Sequence, residues 1–565
     1  MAALLLGFLT LKAYALSPVV GDENIYFYMA VRTAQGFIPY RDFFFGHPPL
    51  HLLPAVIVAA LAGFHVAALK ALTIGSAAAA GFFIWRLVRR EAGPVEAAVA
   101  AALFLFSWDV LLSSTHYTAI NEAVALAVAG LDAALARRDR AAGVLLGCAA
   151  LTGFYTAPAS VAIALLRLRE DPRKAARLVL WAGGLFAAVN LAGLAVAGGS
   201  FLDQVYLHHL RKPGHPGEFW KLLKGAAAGN PWLAWSPVMA ATALGVRRWL
   251  GRPEPPEGEN DGASRRRLLL HAIAGVLVVI PFLSRLPQIA AYYFLLAFPF
   301  LAILGGVGYG AIFRLLTLAM KNWLSSDDSP DTAPAARKKR DTTPRKHGAP
   351  GRPGRQAATA ARALAGAAIL AAVATAGWAW NSGGSGRGTL ETEEPDMEIA
   401  TGPAWQNAPI LPGWANSFVR AAFWADITES RRREGAVTGY LRHEARRFEA
   451  LQPLVEEVRS RVPPEGTIFG DSISVPLIAL LAGRRVALDD PDTQSVRFRS
   501  GGTPPAVMIA RLEKAPPRLV IARAGWGFYI VPELRLWMET EYERVAVIND
   551  PWQGSFLVYE RKGTS

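Results

Sequence analysis

The chain is 565 residues long, 52% of them hydrophobic, and carries a formal net charge of +14. Its basic residues fall between apolar segments instead of gathering on one face, which is the positive-inside pattern of membrane proteins and not that of a nucleic-acid-binding surface. The single cysteine, Cys148, excludes an internal disulfide.

In chain order, residues 1–16 read as a first transmembrane helix whose Lys12 snorkels to the interface. No charge precedes this run, so it lacks the basic head of a signal peptide despite the small residues Ala13 and Ala15. Apolar runs at 66–86, 94–112, 118–136, 141–153, 155–167, 176–197, 231–246, 267–283, 290–314 and 361–380 bring the expected crossings to about eleven. Basic stretches at 86–90, 137–140, 167–177, 247–267 and 337–355 separate them. Placing all five in the cytoplasm puts the N-terminus inside and the C-terminus outside. The short pair 141–167 is then either two spans or a re-entrant hairpin. Residues 48–63 do not fit as a crossing and read as an interfacial helix at the outer face. The segments left outside are 17–65, 113–117, 198–230, 284–289 and everything after 380.

The predicted organisation is a membrane domain over 1–380, a linker over 381–394 and an extracytoplasmic α/β domain over 395–565. Residues 320–360 form a disordered basic cytoplasmic loop suited to anionic headgroups. In the last domain a helix near 436–461 precedes strands at "GTIFG" (466), "RRVALD" (484), "RLVIARAG" (518), "RVAVIND" (544) and "SFLVYER" (555), with helices at 475–482 and 504–514 between them. Neither a GxGxxG nor a Walker loop is present. "GDSIS" at 470–474 reads as a strand-to-helix turn capped by Asp or Ser in preference to a polar site.

The segment 17–65 is the most informative. "GDENIYFYMA" puts Asp22 and Glu23 straight after the first apolar run, and "FFFGHPPLHLL" puts His47 before a Pro-Pro step and a leucine-rich helix. Charged groups at the membrane surface mark a functional site. The acid pair, the tyrosines and the HPPL, in this order and spacing, resemble the protein O-mannosyltransferases and the aminoarabinose transferases of lipid A, both GT-C glycosyltransferases. "LLGCAALTGFYTAPASVAIALLRL" and "RLPQIAAYYFLLAFPFLAIL" resemble the mid-chain helix pair and the late aromatic segment of these families. The chain has no counterpart of the central β-trefoil domain of the O-mannosyltransferases, and His47 stands where the aminoarabinose transferases have lysine.

The resemblance implies a polytopic α-helical membrane fold of GT-C type, a sugar donor carried on a polyprenyl phosphate, and an acceptor outside the membrane. Asp22 is then the candidate general base for an inverting displacement. Glu23 orients the acceptor, supports Asp22, or caps the following helix. His47 binds phosphate or starts the interfacial helix, with Pro48 and Pro49 fixing its backbone. Glu122 stands where related transferases often carry a second carboxylate, although an acid at a helix N-terminus is also ordinary dipole matching. His116 and Tyr117 share its loop and line the groove. Outside also lie His208, His209, Arg211, Lys212 and His215, of which Arg211 or Lys212 is the candidate for the donor phosphate. These histidines are of the type that ligates a divalent cation, the one candidate cofactor, though their spacing matches no established metal motif. Arg285, Gln288, Tyr292 and Tyr293 form the opposite wall, and Arg285 runs against the positive-inside trend, as an anion-binding residue would.

Two other readings remain open from the sequence. A flippase for lipid-linked glycans favours charges buried in broken mid-membrane helices, whereas the polar residues here concentrate at the outer face. A membrane-anchored binding protein needs only one anchoring helix.

Overall fold

The computed structural model describes residues 1–212, 214, 217–249, 261–324, 448–551 and 553–563. The expected crossing at 361–380, the linker 381–394, most of the basic loop, the first part of the helix 436–461, and His215 lie outside the described residues.

The first part is helical: α1 (Ala2–Lys12), α2 (Glu23–Ala34), α3 (Leu53–Ala62), α4 (Val66–Glu91), α5 (Pro94–Leu105), α6 (Trp108–Ser113), α7 (Ile120–Leu135), α8 (Asp139–Thr152), α9 (Ala157–Glu170) and α10 (Pro172–Ala197). Three short helices, α11 (Gly199–Leu202), a π turn (Asp203–Leu207) and α12 (His208–Arg211), lead to α13 (Glu218–Gly229), α14 (Pro231–Ala234), α15 (Ser236–Trp249), α16 (Asp261–Leu283) and α17 (Phe298–Leu324). Among the described residues four helices are long and apolar enough to cross a membrane: Val66–Glu91, Pro172–Ala197, Gly262–Leu283 and Phe298–Thr317. On α10, Leu180 and Leu191 are 72% and 65% exposed, an apolar face suited to lipid.

The remaining expected crossings are shorter or interrupted. The run 94–112 breaks between α5 and α6, and the run 290–314 opens with a 3-10 turn, Ala291–Leu296, before α17. The pair at 141–167 is an arm of 14 residues on each side of Gly153. Each arm is about 21 Å long at ~1.5 Å per residue, short of the ~30 Å of a hydrocarbon core. Likewise α3, at 10 residues, is too short to cross, and Leu53, Ile57 and Leu61 leave its outer side apolar.

Close helix contacts come from small residues. A Cβ on Gly143 of α8 would lie 2.4 Å from the carbonyl of Leu178 on α10, and one on Gly147 would lie 3.0 Å from that of Ala182. Away from the Asp22 end, buried Asp132 of α7 pairs with Arg86 and, at 2.8 Å, with Arg90 of α4. This locks the basic ends of two helices together.

The second part is an α/β domain. Its five-stranded sheet has the order β2-β1-β3-β5-β4, from β1 (Thr467–Gly470), β2 (Arg485–Val486), β3 (Leu519–Arg523), β4 (Tyr542–Asp550) and β5 (Gly554–Arg561). The first three strands are parallel, with Ile468 opposite Val486 and Leu519, while β5 runs antiparallel to β3 and β4. Helices α18 (Leu451–Arg461) and α19 (Val475–Ala482) contribute to one buried core, around Leu454, Ile468 and Ile478. Helices α20 (Ser495–Arg499), α21 (Pro505–Lys514) and α22 (Pro532–Glu541) contribute to another, around Phe469, Met508 and Trp537. The strand expected over "RRVALD" ends at Val486, where the chain turns through Leu488 with φ 61.

The α/β domain rests on α2. Gly21 N–H and Asn24 Nδ2 donate to the carbonyl of Ile473, at 3.1 and 2.6 Å. Tyr28 Oη donates to Asp489 Oδ1 at 2.9 Å and accepts from Val486 N–H at 2.9 Å. Arg32 pairs with the same Asp489 at 2.9 Å. The loops that leave the carboxyl ends of β1 and β2 therefore sit directly over the acid pair.

Candidate functional site

Asp22 is the N-cap residue of α2, yet its side chain caps nothing. Its Oδ1 accepts a hydrogen bond from Gln494 Nε2 at 2.9 Å. The adjacent residue points the other way. Glu23 is fully buried, pairs with Lys70 of α4 at 3.0 Å, and accepts from Tyr117 N–H at 3.2 Å. Successive residues on a helix diverge by about 100°, so one acid of the pair faces a cavity and the other faces the helix packing.

That cavity, partly open to solvent, spans about 610 Å³ and is built from four stretches of chain. Asp22 and Tyr26 come with α2; Phe44, Phe45, Gly46 and His47 with the loop before α3; His208, His209 and Lys212 with α12 and its end; Tyr292 and Tyr293 with the turn before α17. The α/β domain closes it with Asp492, Gln494 and Arg497.

Its electrostatics favour a base beside a cation. Burial, reinforced by the charge of Asp492, pushes the Asp22 carboxyl up to about 6, against the opposing pull of Lys212 and the Gln494 hydrogen bond. Asp22 itself is half-buried, open to the cavity and packed behind. Burial also raises Asp492, opposed first by Arg497. Lys212 has its ammonium lowered by burial but supported by Asp492 and Asp22. The histidines are neutral. Burial drives His47 well below the usual range, and brings His208 to about 3 and His209 to about 4.

His47 is held from three sides. Tyr26 Oη and His47 Nε2 are hydrogen-bonded at 2.9 Å, the ring stacks on His51 at 4.3 Å, and its carbonyl accepts from Tyr40 Oη at 2.7 Å. Arg497 is engaged in its own loop. It donates to both Asp490 oxygens at 2.7 Å, to the Asp492 carbonyl at 2.6 Å and to Thr503 Oγ1 at 3.1 Å, and lies over the Phe44 ring at 4.4 Å. It positions the loop.

Of the residues singled out from the sequence, the structure thus gathers Asp22, His47, His208, Lys212, Tyr292 and Tyr293 around one cavity. His209 joins them, and the other described ones lie elsewhere. Arg211 is exposed and pairs with Asp203. Arg285 is exposed, and neither it nor Gln288 lines the cavity. Tyr117 is fully buried, donating from Oη to the His51 carbonyl at 2.6 Å. His116 lies against Gly21, with its ring nitrogen 3.3 Å from where a Cβ would stand, and burial beside Lys70 and Lys12 lowers it to about 3. Glu122 is buried beside Ser76 of α4. Asp471 of "GDSIS" accepts from Ser474 Oγ at 2.6 Å and lies 3.8 Å from Arg523 Nε, without lining the cavity. Sequence reasoning missed Asp492, Gln494 and Arg497. Their one local signal is the polar run "DDPDTQ" directly after an apolar strand.

Two further cavities lie in the bundle, one of them adjoining the first. One of about 290 Å³ shares Tyr26, His47, Tyr292 and Tyr293 and extends to Thr118, Thr152 and Tyr155. Another, of about 300 Å³, is apolar and lined by α7, α9 and α17 through Val124, Val128, Leu131, Ala159, Pro299 and Phe300, with Ala127 and Thr156 completing it. Among the described residues no three His, Cys, Asp or Glu side chains converge to ligate a metal ion. The charge between Asp22 and Asp492 is instead met by Lys212.

No protein-family model matches the sequence, and no curated protein matches it. Among solved structures, that of ArnT from Cupriavidus metallidurans bound to undecaprenyl phosphate is 15% identical, with a TM-score of 0.58 over 100% of this chain and 98% of that one. The same protein in the apo state gives 15% identity and a TM-score of 0.55 over 99% and 97%. The chain shares the fold of that ArnT structure. The likeness includes the α/β domain as well as the bundle, since it extends over nearly the full length of both chains. The Archaeoglobus fulgidus oligosaccharyltransferase in the apo form is 13% identical over 100% of this chain and 74% of that one, with a TM-score of 0.47. The four long apolar helices among this chain's described residues fit a membrane location; what the protein does there rests on the site itself.

Proposed function

We propose that the protein is a membrane glycosyltransferase that moves a sugar from a polyprenyl-phosphate donor to an acceptor outside the membrane, with inversion and with Asp22 as the general base. The observation that carries this reading is a helix-end carboxylate and a lysine lining one polar cavity, with a separate apolar cavity within the bundle. The fold neighbour bound to undecaprenyl phosphate supports the same donor class.

In this reading the isoprenoid chain lies in the apolar cavity between α7, α9 and α17, and the phosphate rises to Lys212. The sugar takes the aromatic cavity behind Tyr26, Tyr155, Tyr292 and Tyr293, whose faces suit the C–H surface of a pyranose. The acceptor hydroxyl enters beside Asp22. Its oxygen attacks the anomeric carbon as Asp22 takes its proton, the bond from that carbon to the phosphate oxygen breaks, and the electron pair leaves with the phosphate. Lys212 stabilises the charge that develops on the leaving group. With its carboxyl near 6, Asp22 is mostly ionised at neutral pH and basic enough to accept the proton. The cavity and the α/β domain lie outside the cell membrane, and the Arg86–Arg90 end of the bundle faces the cytoplasm.

The experiment is direct. Purified protein is given radiolabelled polyprenyl-phosphate sugars and followed for transfer or hydrolysis, with Asp22→Asn alongside. Transfer lost in the variant while donor still binds supports the reading. Folded protein that binds none of these donors overturns it and favours a transporter.

A further inference from the structure

The α/β domain does more than cover the bundle. Gln494 lies 472 residues from Asp22 in sequence and places its amide 2.9 Å from Asp22 Oδ1. An ionised carboxylate only accepts hydrogen bonds, so the amide NH₂ faces it and the amide oxygen faces away. One carboxylate oxygen is thereby engaged, and the other is left to the cavity. Gln494 is itself held: its N–H donates to Asp492 Oδ1 at 3.2 Å, and Arg497 ties the loop to Asp490 and the Asp492 carbonyl while stacking on Phe44. The chain of contacts runs from Phe44 on the bundle, through the α/β loop, back to the carboxylate on α2. An exposed surface contact needs no such support. A base that must hold one orientation does, because misplacement by about 1 Å costs up to ~100-fold in rate.

We infer that Gln494 is a positioning residue for Asp22, and that the loop of residues 489–497 makes the α/β domain part of the catalytic centre. This rests on the reading of Asp22 as the base. The groups facing Asp22 are Asp492 and Asp471 from the α/β domain, Lys212 after α12, and the hydroxyls of Tyr26, Tyr292 and Tyr293. Among these neighbours Gln494 is the one that donates a hydrogen bond to the carboxylate without carrying charge.

The test uses full-length protein in lipid nanodiscs with Gln494→Met, which keeps the volume and removes the donor, and with Gln494→Ala. Two readouts are taken: kcat and donor KM across the acid pH range, and the infrared carboxyl band of Asp22, isolated by difference against Asp22→Asn. The inference expects kcat to fall by ~10–100-fold with donor KM within about threefold. It also expects the acid limb and the Asp22 band to move to higher pH, because the charged form has lost a donor. A purely structural role would lower the thermal midpoint and move neither. An unchanged acid limb and an unchanged Asp22 band in folded Gln494→Met overturn the inference. Wild-type protein that transfers no sugar sinks the glycosyl-transfer reading instead, and the Asp22 band still decides whether Gln494 governs that carboxylate.

Discussion

Glu23 and Lys70 pair at 3.0 Å with neither side chain reached by solvent, while Asp22, one residue earlier, opens onto the cavity. Two adjacent acids thus do opposite things. Breaking one side of a buried ion pair leaves an uncompensated charge and costs about 3–5 kcal/mol. Glu23→Gln and Lys70→Met are each expected to lower the thermal midpoint sharply, and to lose activity in proportion to lost folded protein. Asp22→Asn is expected to abolish turnover in protein that remains folded. Melting curves beside turnover per folded molecule separate the two.

Asp22 also predicts an inverse relation between stability and activity. Its folded pKa, about 6, lies above the ordinary 3.8. The folded state therefore binds the proton more tightly, and stability falls as pH rises through the window from 3.8 to about 6. At neutral pH the ionised carboxylate is a net cost, which Asp22→Asn removes. The inactive variant is expected to be more stable than wild type by about 1–2 kcal/mol at neutral pH, a figure reduced for the partial exposure of the group. The gain should vanish at pH values below the unfolded carboxylate range. Denaturation midpoints of the two proteins at acid and neutral pH check this.

Asp492 is the charge that raises Asp22 after burial itself. Asp492→Asn removes that repulsion and lets Asp22 ionise at lower pH. The acid limb of the rate profile, expected near 6 in wild type, should move down toward the ordinary carboxylate value. A limb that stays in place would mean that another group sets it.

Much of this site was legible in the sequence because membrane-surface polar residues stand out against apolar runs. Asp22, His47, His208, Lys212 and Tyr292 each flank such a run and converge where the runs end. Two things were not legible. Which acid of the pair faces the cavity depends on the rotation of α2, set by packing against α4 and the α/β domain. The contribution of Asp492, Gln494 and Arg497 depends on contacts across more than 400 residues, for which no local pattern exists. Among crossings, hydropathy marked the apolar runs and the break near Gly153, but not the break between α5 and α6. Helices shielded by their neighbours do not each need a full apolar span.

Lys212 and Arg211 are neighbours that the structure separates. Lys212 lines the cavity, and Arg211 pairs outward with Asp203. A hydrogen bond to a charged group contributes about 1.5–3 kcal/mol. Lys212→Gln is therefore expected to weaken binding of a polyprenyl phosphate by ~10–100-fold, and Arg211→Gln to change it by less than about threefold. Binding of the lipid phosphate without its sugar, measured in nanodiscs, isolates this contact from the chemistry. Equal losses in both variants would place the phosphate elsewhere.

Ala127 tests the apolar cavity between α7, α9 and α17. It is small, half-buried and on the lining, so a larger side chain there fills space instead of displacing packed neighbours. Ala127→Phe is expected to raise KM for long-chain polyprenyl donors by roughly tenfold, about the 1.4 kcal/mol lost when one or two methylene contacts go unmade. A donor truncated to a few carbons does not reach that cavity, and its kcat/KM should stay within about twofold of wild type. The ratio between the two donors is the informative quantity, because a general loss of stability lowers both alike. If the variant treats long and short donors as wild type does, the isoprenoid chain follows another path out of the site, and the apolar cavity is packing space alone.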